Sequence, residues 1–377
     1  MAPPRPSPEL MDELLGEILL RLPPSDPACL VRASLVCRPW RLLLRDAAFL
    51  RRYREHHRAP PLLGFFHNLP RSSGGARAPR FVPTAAPSPV PHPPPPPLAG
   101  RDSLALDCRH GRVLLLDAGG SSGGGFAVWV PITGERRALP GPGVPYTWCS
   151  AVVLCAAAGG RCDHRHCHGG PFLVVLVASS HVDPQATTSA LVYSSAADAW
   201  SSSPASIRTG PTSNAGFSKA GVVSGDEIYF TLRCDTAILK YDLQKHRLSV
   251  ISPPEFYGRR SILTLMEDGS LGFAGISYPR LELWSRRKLD PQAVVASWVR
   301  CRVIDLTAVL PFVDRLYQRG ELIGSAQGLG VIFLSTNDAV FVIEFESGRV
   351  IRRVHESLQS GYALPYMEFY TPGSYRP

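Results

Sequence analysis

The chain of 377 residues has room for about two domains, and its composition excludes several classes of protein. Only 19% of the residues are charged, and 37 prolines and 33 glycines indicate a loop-rich, strand-rich chain. The net charge of +9 comes from scattered arginines rather than from blocks of like charge, so the charge pattern does not favour a nucleic-acid ligand. The N-terminus lacks a signal-like region and every apolar run is too short for a membrane span, so we expect no membrane partner.

The cysteines indicate the compartment. There are nine of them, an odd number at irregular spacing. Without a secretory signal, this pattern favours free thiols in a reducing environment. We therefore expect an intracellular protein, in the cytoplasm, the nucleus or both.

The first predicted element is a helix with more apolar surface than one small domain needs to cover its core. One face repeats every four residues and consists of Leu10, Leu14, Ile18 and Leu22. Leu15 and Leu19 add a second apolar stripe beside that face. Pro23 ends the helix, because proline removes a backbone donor and disfavours helix at the preceding residue.

Two more short helices are predicted after the first. Asp26 and Pro27 supply a cap and a first helical position, and Arg38-Pro39-Trp40 begins the third helix in the same manner. The basic amphipathic segment 46–57 follows, and we expect it to pack this helical head against the rest of the chain.

Three short, tightly punctuated helices with these residues resemble an F-box domain. The matching residues are Leu10, Leu14, Leu15, Glu17-Ile18-Leu19, Leu22-Pro23, Leu30, Ser34-Leu35-Val36-Cys37, Trp40 and the segment 46–50. One departure from the family pattern is that the usual Leu-Pro opening reads Leu10-Met11, with Pro8 upstream as an alternative helix starter.

The resemblance implies a function as well as a fold. An F-box docks on a Skp-family adaptor and, through it, on the cullin and RING subunits of a ubiquitin ligase. The residues implied in adaptor binding are Leu10, Leu14, Ile18, Leu22, Pro23, Leu30, Val36, Cys37 and Trp40. The chain would then be the substrate-recognition subunit of an SCF-type (Skp–cullin–F-box) E3 ubiquitin ligase, with an unknown protein substrate and with no catalysis and no cofactor of its own.

Beyond the head, one pattern of strands recurs along the chain. An apolar strand is followed by a second strand ending in an aromatic or acidic residue, then by a polar turn and a third strand. The five instances begin at Gly111, Phe172, Gly221, Ile262 and Leu322. The stretch 70–100, rich in Pro, Gly and Ser, interrupts the start and is expected to be an exposed loop with polyproline II character.

Repeats of this kind predict a β-propeller, because a single small sheet cannot bury both of its faces alone and must stack on its neighbours. The segments 62–66 and 366–370 are expected to share one blade and close the ring, which gives about six blades. An open two-sheet arrangement is the alternative. We therefore predict an α+β chain, with a three-helix F-box domain over 1–58 and a mostly-β propeller over 59–377.

Strand ends such as Tyr241-Asp242 and Trp284-Ser285 resemble the kelch-like blades of the F-box-associated domains in plant-type F-box proteins. The double glycine of kelch repeats does not recur in order.

Two short motifs suggest chemistry, and each has a simpler explanation. Residues 119–123 match the Gly-x-Ser-x-Gly hydrolase pattern, but no helix follows them, so we interpret the match as chance and expect no enzyme. The second motif is a cluster of metal-type side chains, namely Cys162, His164, His166, Cys167 and His168. Zinc usually takes four ligands from two separated pairs, so we favour a polar loop without metal and keep opportunistic metal binding as the alternative.

Other functions stay open on the sequence alone. The head could merely shield one edge of the propeller, and the whole chain could be an interaction scaffold outside any ligase. A propeller that binds carbohydrate or nucleic acid is a third class, which draws only on the aromatic residues and the arginine excess.

Overall fold

A computed structural model describes most of the chain. The described residues are 12–68, 78–84, 102–118, 124–144, 146–157, 162–180, 187–208, 220–232, 237–255, 261–287, 296–310, 320–354 and 361–372. Within them, a helical head precedes a mostly-β domain, as predicted. Leu10, Met11, the run 119–123 and most of the proline-rich stretch lie outside the described residues.

The head consists of α1 (Asp12–Leu20), α2 (Pro27–Val36), α3 (Arg38–Leu43) and α4 (Ala47–His57). The second helix begins as its sequence predicts, because Asp26 Oδ1 accepts a hydrogen bond from the Ala28 amide at 3.2 Å. The segment expected as a basic extension is the fourth helix, and Asp46 caps it by accepting from the Phe49 amide at 2.9 Å. None of the helices among the described residues has the length and apolarity needed to cross a membrane.

The strands of the β domain follow one another with short connections or long loops. Their bounds are β1 Leu62–Asn68, β2 Pro79–Pro83, β3 Asp102–Arg109, β4 Arg112–Ala118, β5 Gly125–Val130, β6 Glu135–Leu139, β7 Trp148–Cys155, β8 Phe172–Ser180, β9 Thr187–Ser194, β10 Ala199–Trp200, β11 Ala205–Arg208, β12 Val222–Ser224, β13 Glu227–Leu232, β14 Ala237–Asp242, β15 Arg247–Ile251, β16 Ser261–Leu265, β17 Leu271–Ser277, β18 Arg280–Arg287, β19 Ser297–Asp305, β20 Glu321–Ala326, β21 Val331–Ser335, β22 Val340–Glu344, β23 Val350–Val354 and β24 Ala363–Met367. A one-turn helix, α5 (Leu306–Val309), follows β19.

These strands form six antiparallel sheets, which are the six blades of a β-propeller. Blade 1 has the strand order β2-β1-β24, and blade 2 has β3-β4-β5-β6. Blade 3 runs from β7 to β10, with β11 pairing on β9, and blades 4, 5 and 6 take four consecutive strands each from β12 to β23. The prediction of about six blades is confirmed.

The two ends of the β domain close the ring in one sheet. β24 pairs antiparallel with β1, so that Phe66 lies opposite Leu364 and Leu62 lies opposite Met367. The Phe66 ring also packs 5.5 Å from the Trp129 ring of blade 2, centroid to centroid. The predicted closure of the ring in one blade is therefore present, but its C-terminal strand is Ala363–Met367 rather than 366–370.

The hydrophobic core is divided among the blade interfaces. Each pair of neighbouring blades encloses one apolar cluster, as between blades 5 and 6, where Leu281 packs with Phe341 and Ile343. The other clusters follow the same scheme around the ring. This arrangement fits the reasoning that a blade buries its faces only against its neighbours.

The repeat pattern did not include the innermost strands of blades 2 and 3. The first two predicted repeats begin at Gly111 and Phe172, whereas β3 begins at Asp102 and β7 begins at Trp148. The inward positions of β3 include Ser103 and Asp107, both buried. Because polar residues occupy buried positions, hydrophobic alternation does not mark this strand.

The head lies on one face of the propeller, which we call the head-side face. Arg165, in the loop after β7, donates to the Arg58 carbonyl at the end of α4, and Phe369, just after β24, packs against Tyr53 of α4. The inner strands therefore end on the head side.

Helix α4 joins the head to the propeller through an aromatic contact. Tyr53 is buried and its hydroxyl donates to the Leu22 carbonyl at 2.8 Å. Its ring lies 6.2 Å from that of Phe369, which follows β24 and is buried in the apolar cluster of the head. The C-terminal segment of the propeller thus contributes to the core of the head.

We predict that Phe369→Ala loosens this junction. Truncating a buried phenylalanine costs roughly 3–5 kcal/mol of stability, here shared between head and propeller. Tryptic cleavage after Arg58, an exposed residue at the end of α4, should become faster. Phe369→Leu keeps most of the apolar volume and should change the cleavage rate much less, and equal rates in both variants would contradict the inference.

Candidate functional site

The head exposes large aliphatic side chains on three of its helices. We call them the exposed apolar set, and they are Leu14, Ile18, Leu35, Val36 and Leu42. Leu14 is 51% exposed and Leu35 is 70% exposed, although the same helices bury other leucines. Side chains of this size in water on one small domain are typical of a partner-binding surface.

Helix α1 carries two apolar faces, as its sequence predicts. Leu15, Leu19 and Leu20 are buried in the cluster of the head, whereas Leu14 and Ile18 are about half exposed. The core of the head is therefore complete without Leu14 and Ile18, and these two side chains remain available to a partner.

The other residues implied in adaptor binding fall into two groups. Val36 and Pro23 are exposed, and Leu22, Cys37 and Trp40 are partly buried. Leu30 is only 1% exposed and packs within the cluster of the head. We therefore interpret Leu30 as a core residue that holds the exposed helices in place, not as a residue that contacts the adaptor. Leu10 lies outside the described residues. Sequence reasoning omitted Leu35 and Leu42 from the set, although Leu35 lies inside the quoted F-box motif.

Arginines surround the part of the exposed apolar set that lies on α2 and α3. Arg38, Arg41 and Arg45 are all exposed, and Arg41 and Arg45 flank the run 42–44 of three leucines. Glu17 on α1 pairs with Arg52 at 2.5 Å, across the helices α1 and α4. The surroundings of the apolar set are thus basic on α3, whereas α1 carries the exposed Glu13 and Glu17 beside Leu14 and Ile18. The basic part favours a partner with acidic groups beside an apolar groove.

The central channel of the propeller forms a second concave site. It has a volume of about 530 Å³, and all six inner strands contribute to its lining. Arg109 crosses this channel: it donates to the Gln327 side chain of blade 6 at 2.5 Å and to the Gly221 carbonyl before blade 4. One side chain of blade 2 thereby connects three blades across the axis.

Asp107 anchors that arginine. Its Oδ2 accepts from Arg109 Nε at 2.9 Å and from the Val153 amide of blade 3 at 2.9 Å. Burial raises the pKa of the Asp107 carboxyl, and the Arg109 guanidinium opposes the rise. With its polar groups engaged in bonds between blades, this network stabilises the channel.

The loop between β7 and β8 carries the third cluster. The sulfur and nitrogen atoms of Cys155, Cys162, His164 and Cys167 all lie within 4.8 Å of one another. A second group in the same region consists of His166, His168 and Glu368. Sequence reasoning found the residues of the loop but missed Cys155, which lies at the end of a strand, and Glu368, which comes from the other end of the chain.

We predict that Arg109→Met destabilises the propeller by roughly 3–5 kcal/mol, because it leaves the buried Asp107 carboxylate without its charge partner. Losing the Arg109 cation raises the pKa of the Asp107 carboxyl in the folded protein further. Ionising that carboxyl as pH rises therefore destabilises the folded state. Relative to wild type, the loss measured by urea unfolding should be larger near about pH 8 than near about pH 5.

Two variants test this explanation. Adding Asp107→Asn to Arg109→Met should restore part of the stability, since the amide oxygen can still accept from Val153. Arg137→Met removes an exposed ion pair with Asp198 and should cost less than about 1 kcal/mol. A pH-independent loss in Arg109→Met would contradict the assignment to Asp107.

A comparison with protein families supports the helical head. A family model described as F-box domain matches residues 8–52. No curated protein sequence matches the chain significantly.

Among solved structures, the chain is similar to a functionally unknown protein from Desulfotomaculum acetoxidans DSM 771, with TM-score 0.40, 11% identity and coverage of 81% of this chain and 89% of that one. It is similar to a chain of a nidogen/laminin complex, with TM-score 0.43, 13% identity and coverage of 78% and 92% respectively. It is also similar to TolB from Acinetobacter baumannii, with TM-score 0.43, 12% identity and coverage of 83% and 68%. Identities this low transfer no function. The chain carries an F-box domain at residues 8–52, followed by a six-bladed β-propeller.

Proposed function

We propose that this protein is the substrate-recognition subunit of an SCF-type E3 ubiquitin ligase. The observation that carries the proposal is the exposed apolar set, which lies within the residues matched by the F-box model. F-box domains typically bind Skp-type adaptors, and through the adaptor this chain would join the cullin and RING subunits.

The exposed apolar set supports adaptor docking on energetic grounds. Burying one leucine or isoleucine side chain contributes roughly 1.5–3 kcal/mol, so the set could supply most of the association energy. The surrounding arginines, Arg38, Arg41 and Arg45, would steer an acidic partner towards it. Trp40 lies partly buried at the base of this region, packed against the cluster of the head.

We place substrate capture on the propeller, on the face opposite the head. The head-side face is partly covered by the head, because Arg165 in the loop after β7 donates to the Arg58 carbonyl and Phe369 packs among the helices. Binding residues are usually carried by loops on a rigid scaffold, so the uncovered opposite face is favoured for an unknown protein substrate.

The proposed role involves no chemistry by this chain. Its contribution is effective concentration, which holds the substrate near a ubiquitin-charged partner. This interpretation extends the resemblance to plant-type F-box proteins with kelch-like F-box-associated domains. The cysteines in the described part of the chain are all free, which fits the proposed intracellular setting.

We predict that Leu14→Asp with Ile18→Asp abolishes co-purification with a Skp-family adaptor. Both side chains are about half exposed, so two carboxylates should leave the head folded while disrupting an apolar interface. Circular dichroism and the tryptic cleavage pattern should match those of wild type. Ile351→Asp changes a similarly exposed residue on the propeller and should retain the adaptor. Undiminished adaptor binding by the double variant would refute the proposed docking surface.

The alternative is an interaction scaffold outside any ligase, in which the same head binds the adaptor or another helical partner. The exposed apolar set is compatible with both functions, so the composition of the complex decides between them. An affinity purification that recovers the adaptor together with cullin and RING subunits supports the ligase. Recovery of the adaptor alone, at protein concentrations that assemble a reference ligase, favours the scaffold.

A further inference from the structure

We propose that Cys155, Cys162, His164 and Cys167 bind one structural zinc ion. Their four ligand atoms lie within 4.8 Å of one another, on the head-side face of blade 3. Three cysteines and one histidine are a typical ligand set of a closed, tetrahedral zinc site.

The fold brings these ligands together from the two ends of a loop. Cys155 is the last residue of β7, and the antiparallel pairing of β7 with β8 places it opposite Phe172. The other three ligands lie in the segment that leads into β8, so the pairing of the two strands returns them towards Cys155. The spacing therefore provides the two separated sources of ligands that a zinc site requires.

The distances need little adjustment to coordinate zinc. With zinc–sulfur bonds of about 2.3 Å, two ligand atoms of a tetrahedral site lie about 3.8 Å apart. Cys167 Sγ lies 3.8 Å from His164 Nδ1. The widest separation in the cluster is within 4.8 Å, so contraction of about 1 Å by side-chain rotation would complete the shell.

Hydrogen-bond donors around the cluster support thiolate ligands. The Ala157 amide donates to Cys155 Sγ at 3.5 Å, and Arg112 Nη1 lies 4.0 Å from Cys167 Sγ. Arg112 is almost fully buried and also donates to the carbonyls of Cys167 and Gly170. Three thiolates and one neutral histidine around Zn²⁺ carry a net charge of −1, which the Arg112 guanidinium would balance. On binding, each of the three thiols releases its proton to solvent.

The neighbouring group of His166, His168 and Glu368 is the less suitable site. The Glu368 carboxylate already accepts from the Phe369 amide at 3.0 Å and lies 3.4 Å from His168 Nδ1. Arg54 lies close enough to interact electrostatically with Glu368 and His166, and a guanidinium there opposes a second cation. His166 therefore provides a matched control from the same loop.

The proposed zinc ion would also stabilise the junction between the head and the propeller. Arg165, between two of the ligands, donates from Nε to the carbonyl of Arg58 at the end of α4, at 2.8 Å. His164 stacks on His110 of blade 2, with ring centroids 4.2 Å apart. A bound zinc ion would hold this loop in one conformation and so keep the hydrogen bond from Arg165 to the end of α4 in place.

The metal content of the full-length protein tests the proposal. Protein purified in chelator-free buffer should contain about one equivalent of zinc by elemental mass spectrometry. Cys162→Ser and Cys167→Ser should each lose most of it, whereas His166→Ala and Cys301→Ser, the latter an exposed thiol on β19, should retain it. Substoichiometric zinc in wild type, or loss in His166→Ala equal to that in Cys162→Ser, would overturn the assignment.

Two further measurements do not depend on the folding of the variants. Cobalt exchanged into the wild-type protein should give thiolate-to-cobalt charge-transfer absorption, and a thiol-reactive mercurial should release the zinc. After release, tryptic cleavage after Arg58 should accelerate. The site would be refuted by a disulfide among these cysteines in protein freshly purified under reducing conditions. It would also be refuted if the mercurial released no zinc. Adaptor binding is not a readout here, so this outcome is independent of the proposed ligase function.

Discussion

The pairing of β1 with β24 is the constraint on which the rest of the structure depends. A six-bladed ring encloses its apolar clusters only if the first and last blades meet, and here one sheet contains both ends of the β domain. Without that pairing, Phe65 and Phe66 on β1 would lose their neighbours on both sides, and the clusters of blades 6 and 2 would open to water. Ring closure therefore turns six marginal sheets into one cooperative unit.

The same closure positions the head. β1 begins directly after the linker from α4, and β24 leads directly into Phe369, which is buried among the helices. Both connections between head and propeller thus leave the same end of the same sheet. A separation of the two domains would expose Tyr53 and Phe369 together, so we regard the head as an integral part of the fold rather than as a tethered module.

The sequence predicted the features that repeat and missed those that depend on distant neighbours. The blades could be predicted from periodic apolar strands separated by turns, and the closing sheet from the apolar segments at the two ends of the β domain. Both features follow from local patterning. The span of Arg109 to Gln327 could not be predicted, since nothing in a repeat indicates which side chain crosses the axis. Cys155 was missed for the same reason: its partners become neighbours only through the pairing of β7 with β8.

The exposed leucines of the head lie on a domain that is rigidly joined to the propeller. The core of the head already contains Leu15, Leu19, Leu20 and the inserted Phe369, so the exposed parts of further aliphatic side chains add nothing to the core and increase the risk of aggregation. A chain that acts by holding two partners at a fixed separation needs a stiff link between its two binding surfaces, because a flexible link dilutes the effective concentration. Three contacts stiffen that link: the packing of Phe369 against Tyr53, the hydrogen bond from Arg165 to Arg58, and the pairing of β1 with β24. The architecture therefore fits a protein whose function is to set a distance and an orientation between the partner of its head and the ligand of its propeller.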